Sequence, residues 1–580
     1  MASRVLGLVR DVLFAQLFFG KALDAFALAF TVPNLFRRLF GEGALASALV
    51  PVFVRKMESG DREGAARLAS RAVGAVAALL GALSGVVVVG SGVVALVAGV
   101  ETKTGLVAGV LAVVMPYVVL ICGAAVLMAY LNAAGHFAMP ALAPVLLNVA
   151  LIAAAVLTSS VWVLALSVLV GGALQYVCQL VPARALGLPL APEMRLSDPE
   201  LRGIGRELLP AVAGLAVFQV NVLVDRLLAE VMVPGDGAVG ALFLGNRLMQ
   251  LPLAVFAISV ATAAFPELSA RAARGDEEGL RRSLSEAAGS ILFWTAPAAA
   301  GLVLLAEPIT ALLFDRGSFL AARDALPRTS LVIMFYSPGL VAYGVAGLYA
   351  RARYAKGEGR AVVRAALISV GVNLALNVAL VLVFRELALS PGPGVPPARS
   401  GEAGLALASS ASGLVYMCIL APGGRDRWSV RIALLWGGGA ILAGAATALA
   451  GAGVLSASPV RPAWDWLWRA SVLPAALCAG SAVALGLALG AADPGMWRPL
   501  GRVFAATAGM GIFANLVLSS LPPEGDHWLI PVQRALAPVA LGAGAYWFLA
   551  GIVAAPEYAR ARAALPSLGL RRRRARPESG

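Results

Sequence analysis

Charge is what this sequence has least of. Only 13% of the 580 residues are Asp, Glu, Lys or Arg, about half the share of a water-soluble chain. That is too little polar surface to cover the three or four soluble domains the length would otherwise allow. Cysteine is also scarce. Cys122, Cys178, Cys418 and Cys478 stand apart in apolar stretches, which gives neither a disulfide framework nor a metal-ligand spacing. The two histidines, His136 and His527, fall near the ends of apolar runs, and there is no Asp-Asp-x-x-Asp segment. The clustered acid–base groups of a membrane polyprenyl-phosphate enzyme are therefore missing. What is abundant is hydrocarbon, with 60% of the residues apolar. The 63 glycines and 34 prolines lie within those apolar runs, a pattern of transmembrane helices rather than of disorder.

About sixteen apolar spans of membrane-crossing length fit the chain: 2–20, 24–54, 72–100, 106–131, 138–158, 161–182, 207–232, 238–268, 287–314, 326–350, 362–384, 402–421, 431–455, 468–491, 500–520 and 529–555. With both termini in the cytoplasm, roughly four times as many Lys and Arg fall on the cytoplasmic side as on the other. The formal charge of +14 is then mostly a topology signal, and a nucleic-acid role is not expected. No cleavable leader is expected either, since Arg4 and Arg10 interrupt the first span. The run Arg571–Arg574 with Arg576 reads as a polybasic tail against anionic lipid. Trp464-Asp-Trp-Leu-Trp468 reads as an interfacial aromatic belt.

The spans group into a plan. Asp11 aligns with Asp225, Ala15 with Ala229 and Leu28 with Leu242, and each set opens a run of six spans of the same orientation. The expected fold is an all-α polytopic membrane protein with two parallel six-helix lobes around a central cavity, followed by about four C-terminal helices. The divisions are an N-terminal lobe at 1–182, a cytoplasmic linker at 183–206, a C-terminal lobe at 207–421, an inserted two-helix region at 422–499, a closing pair at 500–555 and a basic tail at 556–580.

Function must come from polar groups that a bilayer should exclude. A charge at the centre of a membrane helix costs about 2.5 to 3.5 kcal/mol, so such residues face partners or a wet cavity. Here they are Arg4, Arg10 and Asp11; Asp24, Arg37, Arg38 and Glu42; Asp225 and Arg226; and Arg247. Bases outnumber acids in this set, which favours an anionic ligand. Positions 3, 7, 10 and 14 share one helical face, placing Ser3, Gly7 and Arg10 on a polar stripe. Pro33 and Gly41-Glu-Gly43 argue against a continuous second helix, and periodicity does not choose between Arg37 and Arg38.

Several segments together resemble the lipid II flippases, the MurJ (MviN) family of the multidrug/oligosaccharidyl-lipid/polysaccharide exporter superfamily. These are Ser3-Arg-Val-Leu-Gly-Leu-Val-Arg-Asp11, Asp24-Ala-Phe26, Pro33-Asn-Leu-Phe-Arg-Arg-Leu-Phe-Gly-Glu-Gly43 and Pro51-Val-Phe53. Further matches are Gln219-Val-Asn221, Val224-Asp-Arg226, Asn246-Arg-Leu-Met-Gln-Leu-Pro252 and Gly404-Leu-Ala-Leu-Ala-Ser-Ser410. The resemblance covers about residues 2–421 and the closing pair.

The resemblance implies transport of undecaprenyl-diphosphate-linked disaccharide-pentapeptide across the bacterial inner membrane by a monomer that does no covalent chemistry. It implies substrate contacts from Arg4, Arg10, Asp24, Arg37, Arg38 and Arg247. Some family members hold sodium, and the matching positions are Asp225, Asn373, Asn377 and Ser409; sodium or a proton is the expected coupling ion. Asn377 stands where those members have a carboxylate. The family usually has fourteen helices, so the two spans within 422–499 are a departure. An undecaprenyl-linked polysaccharide flippase predicts the same architecture and is the main alternative. A multidrug extruder predicts an acidic cavity, which the arginines oppose.

Overall fold

The computed structural model describes residues 2–39, 45–189, 192–193, 198–322, 324–386, 388–389, 398–421, 497–521, 529–553 and 558–559; within these the side chains of 2, 4, 46–47, 206–218, 388–389, 497–500, 519 and 529 lie outside the description. The spans expected at 431–455 and 468–491, Trp464–Trp468, Glu42 and the basic tail also lie outside the described residues.

Nearly everything described is helix. The helices are α1 (Ala2–Phe18), α2 (Lys21–Phe36), α3 (Leu45–Glu58), α4 (Arg62–Ala98), α5 (Lys103–Val114), α6 (Tyr117–Ala133), α7 (Ala138–Leu157), α8 (Val161–Ala185), α9 (Pro199–Met232) and α10 (Ala238–Pro252). They continue as α11 (Ile258–Ala273), α12 (Glu277–Leu304), α13 (Ala306–Phe314), α14 (Gly317–Ala321), α15 (Ala325–Ala355), α16 (Gly359–Phe384), α17 (Gly401–Leu420), α18 (Trp497–Ser520) and α19 (Leu529–Val553). A two-residue antiparallel ladder, β1 (Ala388–Leu389) with β2 (Ala398–Arg399), is the one strand pairing among the described residues. Eleven described segments are long and apolar enough to cross a membrane; the chain is a multi-pass membrane protein.

Local sequence sets the helix starts. Asp61, Thr102, Asp198 and Asp276 accept from the amides of Gly64, Gly105, Glu200 and Gly279, satisfying N–H groups that the first helical turn leaves open. Pro199 then occupies the first position of α9, where its missing N–H costs nothing.

Four of the apolar runs are interrupted as helices: 24–54, as Pro33 leads one to expect, 287–314, and 106–131 and 238–268, which each remain one membrane-length segment. The run 24–54 divides into α2 and α3, with a π-turn at 37–39 after Pro33. The run 106–131 divides into α5 and α6 at Pro116. In the run 238–268 a π-turn, Leu253–Ala257, follows Pro252. The run 287–314 breaks at Leu305, where Pro308 has no N–H for the Leu304 carbonyl. At Pro116 and Pro308 the break follows from the proline, which removes a ladder donor and crowds the turn before it; the two π-turns lie on the far side of Pro33 and Pro252.

The described residues pack as two compact units, Met1–Leu244 with Phe314–Ala325, and Gly245–Leu313 with Leu326–Gly580. In the first, Phe14, Phe18, Phe26, Val118, Leu151 and Leu164 form one core and Leu49, Phe53, Leu68, Leu127 and Tyr130 another. The segment 314–325 belongs here because Ser318 closes the end of α1. Its hydroxyl accepts from Phe19 N at 2.9 Å and bonds the Gln16 carbonyl at 3.0 Å. Phe319 packs on the Phe19 ring at 4.6 Å. Gly317 is required there, since its φ is +58° and a methyl group would collide with the Gln16 carbonyl oxygen.

In the second unit α17 is buried along nearly its whole length. Its small residues allow that: Gly404 lies against the Leu380 carbonyl and Gly413 against the Tyr343 ring. Ser410 Oγ bonds the Phe335 carbonyl at 2.6 Å and accepts from Gly339 N at 3.2 Å, supporting the α15 backbone around Pro338. The closing helices α18 and α19 pair with each other, and Met510, Tyr546 and Ala550 pack on Phe293, Ala296 and Ala300 of α12.

Candidate functional site

α1 carries the clearest cluster. Arg10 is only 12% exposed. Its Nε and Nη2 donate to Asp11 Oδ1 at 2.9 and 2.6 Å, and its Nη1 donates to Asn148 Oδ1 at 3.0 Å. The guanidinium also lies 5.6 Å from the Phe14 ring centroid. Three of the five guanidinium N–H donors are thus used, and two make no hydrogen bond among the described residues. An arginine with one flank neutralised and an N–H pair uncommitted is built to receive a charged oxygen ligand. Ser3, one face with Arg10, also meets Asn148, whose Nδ2 donates to its carbonyl at 3.2 Å. Arg4 lies on the same helix, with its side chain outside the described residues.

Arg37 and Arg38 both lie in the π-turn that ends α2, and both are partly buried. Arg37 Nε donates to Asn34 Oδ1 at 2.9 Å. The π-turn changes the angular step between neighbours, which is why helical periodicity alone does not rank the two. Arg247 is on α10, partly buried, in the second unit. Beside it Gln250 donates to Asn246.

Asp24 takes a different place from the arginines. It is fully buried and accepts from Gly237 N and Gly240 N, each at 2.7 Å, and from Lys103 Nζ at 3.1 Å. The carboxylate therefore caps the start of α10 from another helix, where N–H groups and the helix dipole favour a negative charge. Lys103 also reaches Glu230 at 3.1 Å, Asp236 at 3.5 Å and the Gly235 carbonyl. Phe19 fills the space over Gly237. One end of the first unit is so fastened through α1, α2, α5, α9, α10 and α14. Further along α2, Arg226 of α9 donates to the Ala27 carbonyl at 2.9 Å and to Thr31 Oγ1, and it faces the Phe243 ring.

At the opposite end of α9, Arg71 of α4 joins Glu193 at 2.8 Å and Asp198 at 2.7 Å, and Lys56 of α3 joins Glu200 at 3.0 Å. The described part of segment 183–206 is held to α3 and α4 by these pairs and by Glu193 N donating to Ser70. Partial burial raises the Asp198 pKa, but the amides of Glu200 and Leu201 and the Arg71 guanidinium more than reverse this, leaving the carboxyl below its ordinary value.

Of the residues expected to hold sodium, Asn373, Asn377 and Ser409 meet within the second unit. Asn377 Nδ2 donates to Asn373 Oδ1 at 2.7 Å and Asn373 Nδ2 to Ser409 Oγ at 3.4 Å. Asp225 is 4% exposed on α9. The Asn373–Ser409 bond also joins α16 to α17, beside the bonds from Ser369 to the Ser412 carbonyl and from Tyr343 to the Ser409 carbonyl.

Sequence reasoning passed over four residues. Lys103 lies between the apolar runs 72–100 and 106–131, outside the charges singled out within spans. Asn148 did carry a signal, as the single hydrogen-bonding side chain in an otherwise apolar helix. The Arg328–Glu402 pair, at 2.5 Å with Glu402 fully buried, joins residues at the starts of the runs 326–350 and 402–421.

Comparison with known proteins identifies the family and the fold. A family model described as lipid II flippase MurJ matches residues 14–467. The chain is 31% identical over 438 residues to the probable lipid II flippase MurJ of Vibrio cholerae serotype O1, covering 72% of this chain and 80% of that protein. It is 30% identical over 442 residues to the lipid II flippase MurJ of Burkholderia cenocepacia, covering 74% and 82%. Among solved structures, the fold is shared with a lipid II flippase MurJ in an inward closed conformation, with TM-score 0.66, 21% identity and coverage of 95% and 96%. It is shared also with an inward-facing multidrug resistance MATE family transporter of the MOP superfamily, with TM-score 0.57, 17% identity and coverage of 75% and 93%. The extent of the family match and the identity to these relatives decide the assignment: the chain belongs to the lipid II flippase MurJ family.

Proposed function

We propose that this protein is a lipid II flippase, moving undecaprenyl-diphosphate-linked disaccharide-pentapeptide from the inner to the outer leaflet of the bacterial inner membrane. Family membership supplies the substrate class, and the single structural observation that supports it is the half-committed Arg10 guanidinium on α1. Arg4, Arg37, Arg38 and Arg247 are the further diphosphate contacts in this reading; Asp24 contributes by holding the start of α10. Both termini lie in the cytoplasm and the protein acts as a monomer.

The cycle is alternating access with no bond made or broken in the substrate. Arginines grip the diphosphate through charge-assisted, bidentate hydrogen bonds, the sugar and peptide stay in a wet cavity, and the polyprenyl tail stays in hydrocarbon. Each negative charge carried outward across an inside-negative membrane gains about 2.3 kcal/mol per 100 mV, so the potential favours export of the anion.

Sodium or a proton is the proposed coupling ion. Asn373, Asn377 and Ser409 alone fit a cation poorly: they offer neutral oxygens, and Asn373 Oδ1 already accepts at 2.7 Å. Asp225 would have to supply the charge, and no step above depends on the ion. Transport that is unchanged in Asp225→Ala and insensitive to sodium and proton gradients would remove this coupling.

Supplying the chain in cells depleted of their own lipid II flippase tests the function. Growth rescued by the native chain and not by Arg10→Ala or Arg247→Ala is expected. Equal rescue by the variants would overturn the arginine site, and no rescue by the native chain would favour an undecaprenyl-linked polysaccharide as substrate.

A further inference from the structure

Asn148 is the one hydrogen-bonding side chain on α7, and it is 6% exposed. Burying a primary amide is costly unless its groups are bonded. Here the bonds also fix which way it faces. Nδ2 donates to the Pro144 carbonyl and the Ser3 carbonyl, each at 3.2 Å. Turning the amide over would set its oxygen against two carbonyl oxygens and its NH2 against a guanidinium. Oδ1 is thereby committed to Arg10 Nη1, at 3.0 Å.

We propose that Asn148 is a positioning residue for diphosphate binding, holding the Arg10 guanidinium from α7 so that its uncommitted N–H pair is presented to the ligand. The inference rests on reading Arg10 as a diphosphate contact. Asp11 sits next to Arg10 on α1 and takes one flank of the guanidinium. A single flank leaves the plane free to swing about that contact, and the second, from another helix, fixes the plane. An arginine held this way loses less rotamer freedom when the anion arrives, and ordering a long side chain is a main cost of binding. Because the same amide holds Ser3, it also ties the Arg10 position to the packing of α1 on α7.

The test is titration of the detergent-purified full chain with undecaprenyl diphosphate, comparing the native protein, Asn148→Leu, Arg10→Ala and the double variant. Asn148→Leu is expected to weaken binding about tenfold, the scale of one hydrogen bond to a charged group. In the Arg10→Ala background it should weaken binding no further, because Asn148 acts through Arg10. Asn148→Asp provides a second variant should the leucine not fold. Its carboxylate would still hold Arg10 but would repel the anion and set an oxygen against the Ser3 and Pro144 carbonyls, so binding should fall at least as far, with a modestly lower thermal midpoint. Native-like binding by Asn148→Leu and Asn148→Asp, or additive losses in the double variant, would overturn the positioning role while leaving Arg10 a contact. Native-like binding by Arg10→Ala would overturn both.

Discussion

The two ends of the first unit are fastened by charges of opposite character. At the end holding the α1–α2 turn, Asp24 is out of reach of water and is satisfied by two amides and an ammonium. At the end where α4 and α9 begin, Arg71, Glu193, Lys56 and Glu200 keep between about a quarter and two fifths of their side chains exposed, and of this group only Asp198 has its side chain largely covered. A dehydrated carboxylate with three donors has one good geometry and a large penalty for any other. Solvated pairs re-form with little loss as their helices shift. The first end is therefore a latch with two states, closed or broken, and the second is a compliant tether for segment 183–206.

Asp24→Ala should produce the largest effect. It leaves the Gly237 and Gly240 amides without their acceptor, costing about 3 to 5 kcal/mol locally, read as a lower thermal midpoint and faster hydrogen exchange at residues 237–240. Unchanged exchange there would mean the latch is not dry. Lys103→Met should cost less, about 1 to 3 kcal/mol, since Asp24 keeps both amides. A loss larger than that of Asp24→Ala would shift the centre of the latch from the carboxylate to the lysine. Arg71→Ala should move the midpoint by no more than about a degree, and less still at high salt. A large, salt-insensitive shift would erase the contrast between the ends.

The smallest effect is a pH dependence at the compliant end. The Asp198 carboxyl is held below its ordinary value in the folded protein, so it contributes stability that is fully present above its unfolded pKa and is lost as pH falls through the lower folded one. The stability difference between the native chain and Asp198→Asn should be constant at neutral pH and shrink only below about pH 4. A difference that changes between pH 6 and 8 would assign it to another group.

How far the sequence foretells this depends on the range of the interaction. The membrane class, the helical architecture and the arginines of α1, α2 and α10 follow from composition and from charge inside apolar runs. The shared face of Ser3 and Arg10 follows from helical period, and both do meet Asn148. The partners of Asp24 do not follow, because its two amides lie more than two hundred residues further along the chain and Lys103 on another helix, and no local pattern encodes them. Arg37 and Arg38 stayed unranked because a π-turn replaces the regular helix where they stand. The prolines beside the breaks in the runs 106–131, 238–268 and 287–314 were visible as residues, but hydropathy averaged over a window runs across them. The motifs around Arg10 and Arg247 are legible in the sequence, and the latch is read only in three dimensions.

The most direct measurement is translocation of fluorescent lipid II by the purified chain in proteoliposomes, native against Arg10→Ala, with thermal midpoints recorded for both. Grip on the diphosphate by Arg10 predicts movement by the native chain and at least tenfold slower movement by the variant at a similar midpoint, since a charge-assisted hydrogen bond is worth about that factor or more. Equal rates in the two proteins would contradict it.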